Sequence, residues 1–173
     1  MNSNIRVLIE ESELEKRIDE LADEINAKYA GKTVKLVGIL KGSVFFMTAL
    51  AKRLTMDVTM DFMQVSSYGA GTVSSGEVKI IKDLGASIEG ENVIIAEDIV
   101  DSGCTLSKLI PMLKERGPAN LELCSLLSKP SRRTAQVHMD YCGFEIEDYF
   151  VVGFGLDANE KYRNLPYIGW IET

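Results

Sequence analysis

No apolar stretch in this sequence approaches the roughly 18 residues that a membrane-spanning helix needs. The opening residues, Met1-Asn-Ser-Asn-Ile-Arg6, contain no apolar signal core, so export is not expected and a cytoplasmic location is. Cysteine is scarce. Cys104, Cys124 and Cys142 are odd in number and lack metal-ligand spacing, which fits free thiols in a reducing compartment better than a disulfide framework. Positive charge is also in deficit: 19 Lys and Arg stand against 26 Asp and Glu, a formal charge of −7 that argues against nucleic acid as a partner. The single histidine, His138, lies outside every motif and receives no role. Repeats and linkers are missing too. What remains is 173 residues, 46% hydrophobic, enough for one domain with a real core but not for two.

The chain alternates strand and helix patterns. Ser12-Glu-Leu-Glu15 reads as a capping box, with Leu14, Ile18, Leu21 and Ile25 forming one apolar face behind it and a stop near Gly31. Val34 to Leu40 reads as a strand, Lys41-Gly42 as a turn, and Ser43 to Leu54 as a second helix. Further strands are predicted at Val58 to Val65, Val78 to Ile81 and Leu121 to Leu127. Between two of them lies Ser66 to Gly76, small and polar apart from Tyr68 and Val73, long enough to suggest a functional lid. The alternation implies an α/β fold: a mainly parallel sheet flanked by helices, with ligands at the C-terminal ends of the strands.

The most informative stretch is Asn92 to Leu106. Val93, Ile94, Ile95 and Ala96 have the character of a strand buried on both faces. Glu97 and Asp98 follow, then the turn-forming Asp101-Ser102-Gly103, then a helical pattern from Thr105 that Gly117-Pro118 stops. A strand turning sharply into a helix presents free backbone N–H groups and the positive end of the helix dipole. The hydroxyls of Ser102 and Thr105 would add donors, while Glu97 and Asp98 offer acceptors for sugar hydroxyls. That combination suits a phosphorylated sugar. The acidic net charge does not forbid it, because backbone donors, one or two basic side chains and Mg²⁺ can bind phosphates locally.

Apolar residues, Glu-Asp, two apolar residues and Asp-Ser-Gly-x-Thr in this order resemble the phosphoribosyl-pyrophosphate signature of the type I phosphoribosyltransferases. Leu40-Lys41-Gly42, Ser67-Tyr68, Lys129, Phe150-Val151-Val152-Gly153-x-x-Leu156-Asp157 and Arg163 narrow the resemblance to the hypoxanthine-guanine branch, and it covers about Val37 to Trp170. One departure is Gly169-Trp170-Ile171, where small or aliphatic residues would be expected.

The resemblance implies a single domain with a core from about 30 to 140 and a small hood formed by the N- and C-terminal segments. It also implies the roles of individual residues. Asp101 would be the general base at purine N7; the plainer reading is that it caps the following helix. Ser102, Gly103, Cys104 and Thr105 would cradle the 5′-phosphate. Lys129 would hydrogen-bond a purine 6-oxo group, against the alternative of a solvated lysine, and because an ammonium only donates it would favour 6-oxopurines over adenine. Phe150 would stack on the base, unless it is simply core, and Val151 would lend backbone groups to its edge. Glu97, Asp98 and Asp157 would ligate Mg²⁺, Arg163 would contact pyrophosphate, and Lys41-Gly42 would bind it through main-chain groups. Ser67 and Tyr68 would belong to the lid. A homodimer or homotetramer follows from the same resemblance. Two rivals stand beside this reading: a regulator of the same fold that senses phosphoribosyl pyrophosphate and binds RNA or DNA, and the same enzyme class acting on xanthine, adenine or orotate.

Overall fold

The computed structural model describes residues 4–67 and 77–172. Its central element is a six-stranded sheet in the order β4-β3-β2-β5-β6-β7. The strands are β2 (Thr33–Ile39), β3 (Asp57–Ser67), β4 (Val78–Lys82), β5 (Asn92–Val100), β6 (Asn120–Ser128) and β7 (Tyr141–Glu145). All neighbours run parallel except β4, which pairs antiparallel with β3 at the edge.

Parallel strands need crossovers, and helices supply a cover for each face. On one face lie α1 (Glu11–Lys28) and α2 (Val44–Ala51), whose Leu14, Ile18, Leu21, Ile25, Phe46 and Leu50 pack with Leu36, Ile94 and Ala96 of the sheet. On the other lies α3 (Cys104–Lys114), which buries Leu106, Leu109 and Leu113 against Val37, Val93, Ile95 and Leu123. The alternation along Val93-Ile94-Ile95-Ala96 therefore feeds two cores in turn, which is why that run is apolar throughout. Burying each such aliphatic side chain contributes about 1.5–3 kcal/mol.

A second, three-stranded antiparallel sheet joins the two ends of the chain: β1 (Ile5–Ile9), β9 (Ile168–Ile171) and β8 (Val151–Val152), in the order β1-β9-β8. Because α1 packs on α2 and β7, and β7 closes the large sheet, the layers around that sheet extend beyond residues 30–140 at both ends.

Several local expectations shift. Helix α1 starts earlier than Ser12, with Glu10 as its N-cap and Glu13 closing the capping box; the Glu10 N–H donates to Glu13 Oε2 at 2.9 Å. Strand β1 ends one residue before that cap, so the chain enters the helix directly and Ser12 falls inside the first turn. Helix α2 stops at Ala51 rather than Leu54. Strands β1 and β7 have no counterpart in the sequence reading. Their burial patterns are mixed, without the clean alternation a sequence reading needs.

Candidate functional site

The sheet order reverses between β2 and β5: the chain moves outward from β2 to β3, then returns to β5 on the other side. A crevice opens outside the carboxyl ends of strands at such a switch point. Here it brings Gly42, just after β2, against Asp98 near the end of β5. The approach is very close. A Cβ built on Gly42 would lie 1.8 Å from Asp98 Oδ2, so no other residue fits there without moving the carboxylate. The Leu40–Lys41 peptide is cis.

Beyond Asp98 the chain forms the turn into α3. Gly103 sits at φ 80°, a left-handed conformation that costs glycine little, and its missing side chain leaves room for the Ala135 carbonyl. Ser102 anchors the turn from both sides, its carbonyl accepting the N–H groups of Thr134 and Ala135 and its Oγ that of Cys104. A cavity of about 220 Å³ opens here, lined by Glu97, by Asp101 to Leu106 and by the apolar Ile39, Val65 and Ile99. It takes in the first turn of α3, where backbone N–H groups have no intrahelical acceptor. Arg133 braces the turn, donating from Nε to the Asp101 carbonyl at 3.0 Å and from Nη2 to Ser128 Oγ at 2.8 Å.

A second cavity, about 430 Å³, is lined by Asp101, Lys129, Arg132, Asp148, Tyr149, Phe150, Trp170 and Ile171. Lys129 is buried, with Nζ 3.5 Å from Asp148 Oδ1, so it is no solvated surface lysine. Phe150 is 54% exposed, so it is not a core residue either. Val151 is buried and pairs with Trp170 across β8 and β9. Trp170 also packs on Tyr149 with ring centroids 5.0 Å apart and lies under the Arg6 guanidinium at 5.7 Å. The tryptophan that departs from the expected pattern is thus part of the pocket wall. Asp101 caps nothing: α3 has Gly103 at its N-cap with no side-chain capping bond, and Asp101 Oδ1 instead accepts from Arg132 Nε at 3.2 Å.

The third part of the site is the segment after β8. Asp157 and Glu160 both hold Arg163, at 3.2 and 3.1 Å, and Glu160 also pairs with Lys41 at 2.8 Å. Those cations keep the Glu160 carboxyl below its ordinary value. Arg163 Nη1 donates to the Gly155 carbonyl, while its buried Nε has no partner among the described residues. Arg132, Asp148 and Glu160 are site residues that the sequence reading missed. Of the two residues expected in a lid, Ser67 ends β3 and Tyr68 lies outside the described residues.

The electrostatics of Glu97 and Asp98 bear on Mg²⁺. By exposed surface both are part-buried, yet protein atoms surround them closely enough for burial to dominate. Burial, then the neighbouring Asp98, raises the Glu97 carboxyl well above its usual range. Burial likewise lifts Asp98 to about 6, against backbone donors and Arg163 that pull it down; Asp157 adds to the rise. Two adjacent acids with so little compensation are a fitting place for a divalent cation. Glu97, Asp98 and Asp157 do not close into a cage, since no group of three or more such ligands gathers among the described residues. Mg²⁺ does not require one, because it keeps several waters and takes one or two carboxylates plus substrate oxygens.

The turn into α3 and the larger cavity meet at one aspartate, Asp101, an arrangement that suits a sugar phosphate on one side and a planar base on the other, as in the phosphoribosyltransferase class. Residues 8–159 match the phosphoribosyl transferase domain, and the chain belongs to the phosphoribosyltransferase family. More particularly, it is 51% identical over 164 residues to the hypoxanthine-guanine phosphoribosyltransferase of Bacillus subtilis, covering 95% of this chain and 91% of that one. It is 56% identical over 164 residues to the bifunctional protein TilS/HprT of Listeria innocua, where it covers 95% of itself and spans 25% of the relative's length. Among solved structures, a hypoxanthine phosphoribosyltransferase from Staphylococcus aureus superposes with a TM-score of 0.93 at 48% identity, covering 96% of this chain and 91% of that one.

Proposed function

We propose that this chain transfers the 5-phosphoribosyl group of phosphoribosyl pyrophosphate to hypoxanthine and guanine, giving inosinate and guanylate and releasing pyrophosphate. The observation that carries the reading is the junction of the two cavities at Asp101. A ribose phosphate held in the first and a purine held in the second would meet there.

In this reaction the bond from purine N9 to ribose C1′ forms as the bond from C1′ to pyrophosphate oxygen breaks. The bonding electrons leave with pyrophosphate and the N7 proton passes to Asp101. Ser102 to Thr105 hold the 5′-phosphate by backbone and hydroxyl donors. Glu97 and Asp98 accept from the ribose hydroxyls. Lys129 donates to the 6-oxo group, Phe150 stacks on the base, and Val151 fixes its edge by main-chain groups. Lys41-Gly42 and Arg163 take the pyrophosphate. One or two of the carboxylates Glu97, Asp98 and Asp157 would hold Mg²⁺, which would supply neutralising charge for the pyrophosphate leaving group.

The acidic charge and the small-molecule site favour a cytoplasmic salvage enzyme without nucleic-acid partners, assembled as a homodimer or homotetramer. Among the described residues, no helix is long and apolar enough to cross a membrane. The test is direct: incubate the protein with phosphoribosyl pyrophosphate, Mg²⁺ and hypoxanthine, guanine or xanthine, and measure nucleotide formed. Turnover of hypoxanthine and guanine is expected. No turnover with any 6-oxopurine ends the assignment, and kcat/KM for the three bases ranks them.

A further inference from the structure

Four alternating charges line the base cavity in an unbroken chain. Asp101 Oδ1 is 3.2 Å from Arg132 Nε, Arg132 Nη1 is 3.5 Å from Asp148 Oδ2, and Asp148 Oδ1 is 3.5 Å from Lys129 Nζ. The two outer members are the groups that the proposed function assigns to purine N7 and to the 6-oxo group. The two inner members have no assignment.

We propose that Arg132 is a positioning residue for the base chemistry: it holds the Asp101 carboxylate in place, while Asp148 tethers Arg132 and Lys129 at a fixed spacing. General base and 6-oxo donor then face the purine as one unit. The inference rests on the roles proposed above for Asp101 and Lys129.

Backbone restraint supports it. Arg132 ends a single 3₁₀ turn, Pro130–Arg132, that directly follows Lys129. Its N–H donates to the Lys129 carbonyl, and the Lys129 N–H donates to the Val100 carbonyl at 2.9 Å. Arg133 ties the same turn to the carbonyls of Val100 and Asp101. Arg132 therefore departs from a backbone fixed on both sides of the pocket. Exposed ion pairs add little to stability, and Arg132 and Asp148 are each about half exposed, so a purely stabilising role gives a poor account of the chain. A base entering the cavity displaces water, and the same contacts strengthen as the local dielectric falls. The bridge also needs a planar fork. Nε serves one carboxylate and Nη1 the other, which a lysine ammonium on a single stem cannot reproduce.

The test is a double-mutant cycle read by steady-state kinetics with Mg²⁺ present, hypoxanthine varied at saturating phosphoribosyl pyrophosphate and phosphoribosyl pyrophosphate varied at saturating hypoxanthine. Arg132→Ala should lower kcat/KM for hypoxanthine roughly ten- to hundredfold, the worth of one hydrogen bond to a charged group, and leave KM for phosphoribosyl pyrophosphate unchanged. Arg132→Lys should restore only a small part, and Asp148→Asn should lose activity in the same direction. In an Asp101→Asn background the Arg132→Ala loss should vanish, because the carboxylate it positions is gone. An equal loss in both backgrounds, full rescue by Arg132→Lys, or unaltered kinetics for Arg132→Ala with Asp101 intact would overturn the proposal. A fully active Asp101→Asn single variant would instead remove the general-base assignment on which it rests.

Discussion

Two sets of carboxylates on neighbouring strands show how environment sorts structure from chemistry. Glu122 of β6 is 5% exposed, yet its charge is answered on every side. Lys28 Nζ lies 2.9 Å away, the Tyr29 hydroxyl donates to it, and the Tyr141 hydroxyl approaches within 3.4 Å. Asn120 Nδ2 completes the network by donating to the Tyr29 hydroxyl at 2.8 Å. Burial and the adjacent Glu122 raise both tyrosines above their ordinary values, so they stay protonated donors. Glu97 and Asp98, at the other end of the sheet, form no salt bridge among the described residues; burial raises both toward the neutral form, Asp98 adds to the rise at Glu97, and Asp157 adds to that at Asp98. A buried carboxylate with partners pins α1 to the sheet. A buried pair compensated only by backbone donors to Asp98 and the Arg163 charge keeps a cost that a ligand can remove.

The comparison breaks most sharply at the carboxylate nearest the junction of the cavities. Asp101→Asn keeps the size and the acceptor for Arg132 but cannot take a proton. Its kcat should fall roughly 10²- to 10⁴-fold, as for a lost general base, while Tm stays within a degree or two. Activity and thermal unfolding measured on one preparation decide it, and an unchanged kcat would place Asp101 with the structural acids.

Glu122→Ala should do the reverse. It strands two tyrosine hydroxyls and leaves Lys28 without its partner, so unfolding free energy should drop by about 2–4 kcal/mol. The expected kcat/KM of the folded protein at 25 °C is unchanged. Denaturant unfolding and kinetics together check both halves, and a large activity loss with intact stability would erase the distinction between the two ends of the sheet.

How far the sequence reveals this division depends on whether the signal is local. Val93 to Thr105 carries strand, acidic pair, turn and helix in consecutive residues, so the fold class and the phosphate-type turn are legible there. The Glu122 network is not, because its members come from α1, β6 and β7 and meet only when the sheet forms. The same holds for Arg132 and Asp148. In the sequence they are ordinary charges in Ser131-Arg132-Arg133 and Glu147-Asp148-Tyr149, and only the pairing of β6 with β7 brings them into one cavity. Trp170 was visible as a departure, but its place against Tyr149 and Arg6 needed the antiparallel sheet that joins the two ends of the chain. Burial also corrected bland readings that the sequence left open. Lys129 is buried and Phe150 is not, the opposite of what each residue type does by default.

A smaller effect sharpens the comparison through pH. In metal-free protein with chelator present, Asp98→Asn should be more stable than the parent at pH 7, by about 1–2 kcal/mol. That is less than the full shift implies, because the side chain keeps some solvent. The sign follows from the folded-state value near 6, above the roughly 3.9 of an unfolded Asp. Below about pH 4 the carboxyl is protonated in both states and the difference disappears. It grows as pH rises and is complete above about pH 6. Thermal unfolding of both proteins across this range measures it; a gap independent of pH, or of opposite sign, would show that Asp98 is as well compensated as Glu122.

The smallest effect uses a reporter built into the phosphate-type turn. Cys104 is exposed, and hydrogen bonds with Thr134 and Ser102 hold its thiol below the ordinary value. Cys124 is buried and pushed well up, and burial raises Cys142 as well. Since the thiolate is the nucleophile, iodoacetamide at pH 7 should label Cys104 first, leaving the other two nearly untouched until the protein unfolds. Inorganic phosphate or phosphoribosyl pyrophosphate with Mg²⁺ should slow that labelling several-fold by filling the cavity that Cys104 lines. Peptide mass mapping of labelled protein with and without ligand reads the effect at each cysteine. Equal protection of all three would indicate general tightening of the fold, whereas protection confined to Cys104 would locate the anion at the turn where uncompensated acids and free amide donors meet.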